Sequence, residues 1–199
     1  HSETLEDLVL YETLYENSKG KLWVRPKAMF FENIEHNGIV QPRFAKIDLK
    51  LETFTKVDGR NRALIESIAA QSFDTWKDEV FESRISEFDR FHIGLAFIEG
   101  KPVGFKVGYA LSDTCFYSWL GAVIPELQRS GVASALMLAQ HQWCLDQGFR
   151  SIRTKCLNFN QAMLLLNLKH GFLVYDTEIT EEGLKLVLQK QLVESESAL

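Results

Sequence analysis

The stretch Val123-Ile-Pro-Glu-Leu-Gln-Arg-Ser-Gly-Val-Ala-Ser134 decides how the rest of the chain is read. It closes a run, Cys115-Phe-Tyr-Ser-Trp-Leu-Gly-Ala-Val-Ile124, whose aromatic and β-branched side chains suit a strand covered on both faces. Beyond it, Val132, Leu136, Ala139 and Trp143 recur at helical spacing, and Gly148 stands where a glycine ends a helix. Strand, tight polar turn and helix is therefore the local order. The first N–H groups of that helix, from Arg129 to Ser134, lack intrahelical partners, and together with the helix dipole they favour an anion. Small residues at Ser130, Gly131, Ala133 and Ser134 let a pyrophosphate approach the backbone. A Walker-type loop is excluded, because no Gly-Lys-Ser/Thr follows. An ordinary strand-turn-helix junction has the same outline, so the turn alone leaves both readings open.

Working outward, Ile47, Leu49, Leu51 and Phe54 read as a strand, and Asp58-Gly-Arg leads into a helix carrying Leu64, Ile65, Ile68 and Ala69. Thr75-Trp-Lys-Asp78 predicts a second helix opened by a capping box, with Trp76, Val80, Phe81, Ile85 and Phe88 on one face. Ile93 to Ile98 and Val103 to Tyr109 flank Glu99-Gly-Lys-Pro102, a hairpin. Asp113 lies in the next turn. After the central strand and its helix come a strand from Ser151 to Cys156, a helix from Asn160, and strands from Leu173 to Ile179 and Leu184 to Leu192. The expected class is α/β (α+β), a mixed, mostly antiparallel central sheet flanked by helices, preceded by a short β-rich segment. Gly121, inside the central strand, predicts a bulge or a close backbone approach at that level.

Gln128-Arg-Ser-Gly131-Val-Ala133, with Pro125 before it, resembles the Gln/Arg-x-x-Gly-x-Gly/Ala signature of the GNAT N-acetyltransferase superfamily. A second stretch, Asn160-Gln-Ala-Met-Leu-Leu-Leu-Asn-Leu-Lys-His-Gly171-Phe172, is similar to the family's Asn-x-x-Ala-x-x-Leu-Tyr-x-x-x-Gly-Phe helix. The resemblance implies the acyl-CoA N-acyltransferase fold over residues 47–199. It implies acetyl-CoA as co-substrate, with its pyrophosphate on Gln128, Arg129, Ser130, Gly131, Val132, Ala133 and Ser134, and its pantetheine arm beside Asn160. The Val123 N–H becomes the donor that polarises the thioester carbonyl. The chain departs from the family pattern at Met163, which replaces an alanine, and at Asn167, which replaces the tyrosine that serves as general acid.

Acetyl transfer needs a neutral amine, a polarised carbonyl and a proton for the departing sulfur. The central strand from Cys115 to Ile124 offers no carboxylate as base. Tyr117, sharing a parity with Trp119, and Asn167 remain as catalytic candidates; Asp113, His92 and His170 rank below them as ordinary loop or element-end residues. Cys115 and Cys156 have no base beside them for an acyl-cysteine route. The leading expectation is an acetyltransferase acting by direct attack on a small-molecule amine or on a peptide or protein N-terminus. A non-catalytic acyl-CoA sensor is the alternative, kept open by the missing carboxylate and tyrosine.

In residues 1–46, Leu8 to Tyr15 suits a helix or equally a strand closed by the Asn17-Ser-Lys-Gly20 turn, and Lys21 to Pro26 and Ala28 to Ile34 read as strands of a β-rich module. The pattern through Trp23-Val-Arg-Pro26 and Pro42-Arg-Phe44 is similar to a small bacterial domain family of uncharacterised function. That family's pattern extends upstream of His1, so an incomplete copy is expected, with an open edge suited to homodimerisation. Arg25, Arg43, Trp23 and His36 are read as core and solvated charge. The 199 residues are 46% hydrophobic and carry a net charge of −5, which supports a full core and argues against a nucleic-acid platform. No membrane span and no metal-ligand spacing are present, and three cysteines read as free thiols of a cytoplasmic protein.

Overall fold

The structure, a computed structural model, describes residues 6–12, 20, 22–36, 38–44, 48–74 and 76–192. The chain divides into two compact units, His1–Asp48 and Leu49–Leu199.

In the first unit, β1 (Leu8–Glu12) pairs antiparallel with β2 (Leu22–Pro26), Leu10 facing Val24. Residues 14–19, expected to close this hairpin, lie outside the described residues. The expected third strand is instead a short helix, α1 (Lys27–Phe31), followed by a hairpin of β3 (Asn33–His36) and β4 (Ile39–Pro42) turned at Gly38 with φ +77°. Pro26 at the helix start, with φ −50°, is preset for that turn. The helix stacks Phe30 on Phe44 at 4.3 Å and sets it 5.4 Å from Tyr11. Arg25 Nε donates to the Tyr11 hydroxyl at 3.3 Å, and Arg43 pairs with Glu32.

The second unit is built on a seven-stranded sheet. Its strands are β5 (Leu49–Phe54), β6 (Phe91–Ile98), β7 (Lys101–Ala110), β8 (Cys115–Val123), β9 (Ser151–Leu157), β10 (Leu173–Thr180) and β11 (Gly183–Gln191), in the spatial order β10-β11-β9-β8-β7-β6-β5. All pairs are antiparallel except β8 with β9. The mixed, mostly antiparallel sheet expected from sequence is thus present.

On one face lie α2 (Gly59–Ser72) and α3 (Asp78–Glu87). Asp58 caps α2 reciprocally with Asn61, whose backbone N–H donates to Asp58 Oδ1 at 2.8 Å. The second helix has no such box. It starts at Asp78 behind an uncapped Lys77, and the Trp76 indole donates to Asp78; Thr75 lies outside the described residues. On the other face lie α4 (Val132–Asp146) and α5 (Gln161–Lys169). One apolar cluster joins Ile65, Ile68 and Phe81 to Phe91, Ile93, Leu95, Phe105, Val107 and Tyr109. The other side packs Phe116, Met137, Cys144, Phe149, Ile152, Phe172 and Leu188.

The register between β7 and β8 slips once: Val107 faces Leu120, but Gly108 faces Ser118. Trp119 is therefore the extra residue of a β-bulge, two positions before the glycine at which a bulge was expected. Gly121 answers to close approach instead, since a Cβ there would sit 3.1 Å from the Phe105 carbonyl oxygen. The glycine that the bulge does need is Gly108, where a Cβ would lie 2.4 Å from Phe116 Cε1 and 2.5 Å from the Tyr117 carbonyl oxygen. The bulge also switches the facing of β8. Tyr117 and Trp119 lie with the α2–α3 cluster, as do Leu120 and Ala122 after it, while Val123 packs with Val132 and Leu136 of α4.

Gly108→Ala should cost about 3 kcal/mol or more in urea unfolding, because backbone and a buried ring both block the new methyl. Gly59→Ala, with nothing within 4 Å of the added carbon, should be neutral or slightly stabilising. Equal effects at the two positions would contradict the bulge geometry.

Candidate functional site

The turn after β8 is a single 3₁₀ turn, Pro125–Leu127, followed by two left-handed residues, Arg129 with φ +63° and Gly131 with φ +93°. Gly131 is the N-cap of α4 and supplies no side-chain cap. The first backbone bond into the helix is Ala135 N–H to the Gly131 carbonyl at 3.0 Å, so the N–H groups of Val132, Ala133 and Ser134 head the helix unbonded by its own ladder. Alternating handedness ahead of them turns successive N–H groups toward one side, a concavity suited to an anion. Ser130 Oγ is tied to the Leu127 carbonyl, and Gln128 Nε2 donates to the Val123 carbonyl at 3.4 Å. Ser134 Oγ meets His170 Nε2 at 2.9 Å, fastening the start of α4 to the end of α5. The Arg129 side chain is exposed.

Beside this turn the sheet opens. Pairing between β8 and β9 is confined to Cys115 with Ser151, Phe116 with Ile152 and Tyr117 with Arg153. At the next step the Thr154 hydroxyl donates to the Ser118 carbonyl at 2.8 Å, and beyond it the strands have no ladder. The Ile124 N–H bonds to Val103 at 3.0 Å, with Gly104 facing Val123. Because backbone groups alternate sides along an antiparallel strand, Gly121 and Val123 turn their N–H and C=O away from β7, toward the gap. The gap, the expected Val123 donor and the uncapped helix end are thus adjacent. The Gly121 N–H is a second such donor that sequence reasoning missed; its only signal was a glycine two residues upstream.

Of the catalytic candidates, Tyr117 packs 5.4 Å from Tyr109, and burial pushes its hydroxyl up to about 12, so that it keeps its proton near neutral pH. Asn167, in the last turns of α5, is buried, and its Nδ2 has no partner among the described residues. Asn160 N-caps α5 by accepting the Met163 N–H at 3.1 Å. Asp113 is an exposed turn residue paired with Arg90 at 3.5 Å, and His170 ends α5. His92, expected as an ordinary element-end residue, is fully buried in β6 beside Gln140 Nε2 at 3.3 Å. Cys115 lies where β8 and β9 are still paired, and burial raises the Cys156 thiol. No group of three or more metal-ligating side chains occurs, and no helix is long and apolar enough to cross a membrane, among the described residues.

Beneath α4 runs a polar layer that the sequence did not announce. His92, Gln140, His141 and Ser118 are all buried, and Lys106 of β7 is half-buried on the same face. Burial, then the charge of Lys106, holds His92 down to about 3. Burial, then Lys190 and Lys106, does the same to His141, whose Nδ1 lies 3.1 Å from Lys190 Nζ.

Residues 61–172, more than half of the chain, match the profile described as the acetyltransferase (GNAT) family, and residues 1–46 match a family described as a protein of unknown function (DUF1653). No curated protein matches the chain by sequence. Among solved structures, Ard1 from Thermoplasma volcanium is similar with a TM-score of 0.63 and 22% identity, over 73% of this chain and 99% of that one. The ribosomal-protein-S18-alanine N-acetyltransferase from Escherichia coli gives 0.62 and 16%, over 75% and 99%. A GNAT acetyltransferase from Elizabethkingia anophelis with acetyl-CoA bound gives 0.58 and 14%, over 73% and 99%. At these identities the likeness is one of fold.

The buried rings set a pH dependence of stability. Both histidines titrate near 6.5 when unfolded and about 3 when folded, so below 6.5 the unfolded chain binds more protons. The stability they supply is present above pH 6.5 and lost as pH falls toward 3. Between pH 7 and 5 the loss should be on the order of 3 kcal/mol in urea unfolding, and His92→Gln should flatten that slope by roughly half. A flat profile over this interval would mean the rings are not held neutral.

Proposed function

The chain belongs to the GNAT acetyltransferase family and is an acyltransferase, and from that premise we propose that it carries the acetyl group of acetyl-CoA to a primary amine by direct attack. The observation that carries this reading is the parting of β8 from β9 after Tyr117 and Arg153, next to the uncapped end of α4. The residues present fit the co-substrate. Unbonded N–H groups at Gly131 to Ser134 suit a pyrophosphate, with Gln128, Arg129 and Ser130 forming the turn that presents them. Gly121 and Val123 offer strand-like backbone bonds to an amide arm lying in the gap, with Asn160 at the head of α5 beside it.

When bound, acetyl-CoA supplies an activated acyl group on a good leaving thiol. The chain's own part is positioning and electrostatics. The Val123 N–H, with Gly121 beside it, polarises the carbonyl from a fixed backbone, which needs no reorganisation during reaction. Tyr117, on the α2–α3 face, is placed to relay the proton that the amine sheds. Asn167 orients the sulfur or a water without exchanging a proton. The relative named for its action on a ribosomal-protein alanine supports a peptide or protein N-terminus as acceptor, alongside small amines. Three unpaired cysteines support action in the cytoplasm. The exposed apolar residues of edge strand β10, Leu173, Val174, Tyr175 and Ile179, support a homodimer, and a monomer mass in light scattering would remove it.

Thermal-shift titration with acetyl-CoA tests the premise, and thiol release against a panel of amines and peptides tests turnover. Binding without release on every acceptor would favour an acyl-CoA sensor, the reading that Asn167 in place of a tyrosine keeps open. Gly131→Asp should lower acetyl-CoA affinity at least 30-fold while costing only about 1–2 kcal/mol of stability, since it sets charge against the pyrophosphate at a left-handed position. Unchanged affinity would remove the turn from the site. Tyr117→Phe should lower kcat about 10-fold with KM little altered, and equal kinetics would discard Tyr117 as a relay.

A further inference from the structure

Lys106 stands between Phe105 and Val107, which face the α2–α3 cluster, and so projects onto the opposite face of the sheet, beneath α4. Its cross-strand partner on β8 is Gly121. A Cβ on Gly121 would lie 3.6 Å from Lys106 Cγ and 3.7 Å from its Cα, so the lysine stem rests against bare β8 backbone, at a level where β8 has already left β9. The titratable groups near it are His92 of β6, His141 and Cys144 of α4 and His170 at the end of α5, with Lys190 of β11 reaching His141.

None of these is a carboxylate, and the buried polar residues include no aspartate or glutamate among the described residues. No ion pair or hydrogen bond engages the Lys106 ammonium among the described residues. Ser118 Oγ and Asn167 Nδ2, on the same side of the sheet, are buried and unpartnered. A cation half withdrawn from water and without a counter-charge weakens a fold, and it becomes favourable where negative charge arrives or develops beside it.

We propose that Lys106 is the proton donor to the leaving sulfur, filling the role vacated where Asn167 replaces a tyrosine; this rests on the acetyl-CoA reading above. As the neutral acceptor amine forms the C–N bond, the thioester C–S bond breaks and its electron pair goes to sulfur. The sulfur takes a proton from the Lys106 ammonium. The acceptor nitrogen loses its surplus proton through Tyr117 to solvent, and Lys106 is reprotonated from solvent, so one amine and one thioester give one amide and one thiol. Burial brings the ammonium down to about 8, with Cys144 the opposing influence, which matches it to a thiol of ordinary acidity. His92 and His141, held neutral near pH 7, and Cys144, whose own thiol burial raises, do not compete for the proton. Lys106 must be protonated to act, so the rate should fall as pH rises through about 8.

The test is a titration of the bound thiol. Coenzyme A is bound to the full chain and to Lys106→Met, and the ultraviolet absorbance of the thiolate is followed against pH with the coenzyme-free protein subtracted. In the wild type the thiol should titrate at least about one pH unit below its value in Lys106→Met, because an adjacent cation favours the thiolate. Lys106→Arg, which keeps the charge and cannot release a proton, should retain the low thiol value while losing roughly 100-fold in turnover. Identical thiol titrations in wild type and Lys106→Met, both binding coenzyme A by thermal shift, overturn the proposal and leave the acetyltransferase reading intact, and full turnover in Lys106→Arg also overturns it. Failure of the wild type to bind coenzyme A overturns both.

Discussion

Two parallel strands that pair for three residues and then separate are the constraint on which this molecule depends. A sheet ordinarily closes its ladder, because unpaired backbone groups inside a protein are costly. Here the ladder is ended by a side chain: the Thr154 hydroxyl takes the Ser118 carbonyl, and one residue later Trp119 bulges and re-aims the strand. Gly108 makes room for that bulge, since any side chain there would strike Phe116 and the Tyr117 carbonyl. The backbone of Gly121 and Val123 is left facing a gap, and the turn that follows delivers the head of α4 to the same place.

The bulge also divides the chemistry between two faces. Tyr117 and Trp119 sit with the aromatic cluster under α2 and α3, where the Phe81 and Tyr109 rings hold them. On the other face, Lys106, His92, Gln140 and His141 form a polar layer beneath α4 without an acidic member. An interior of this kind gives up stability for a local positive potential, a trade expected of a site and out of place in a structural core.

The N-terminal unit holds itself together differently. Tyr11, Phe30 and Phe44 gather into one aromatic cluster, Arg25 binds the Tyr11 hydroxyl, and Arg43 pairs with Glu32. Leu10, Leu22 and Val24 remain exposed on the outer face of its first hairpin. Among the described residues, this cluster is held by ring stacking and paired arginines, unlike the layer beneath α4.

The sequence by itself determined the order of strands and helices after Leu49, the glycine-headed turn before Val132 and the Asn160 helix, because periodicity, turn residues and short motifs are local properties of the chain. It set the bulge two residues late and read Ala28–Ile34 as strand, because register belongs to strand pairs and the short apolar run through Phe30 and Phe31 fits either backbone until Tyr11 and Phe44 are beside it. It gave no sign that His92 is buried or that Lys106 lies against Gly121, 15 residues away along the chain. Only the tertiary structure decided those, since a lysine's environment is set by which strand lies alongside and by whether that strand offers a side chain or a bare backbone.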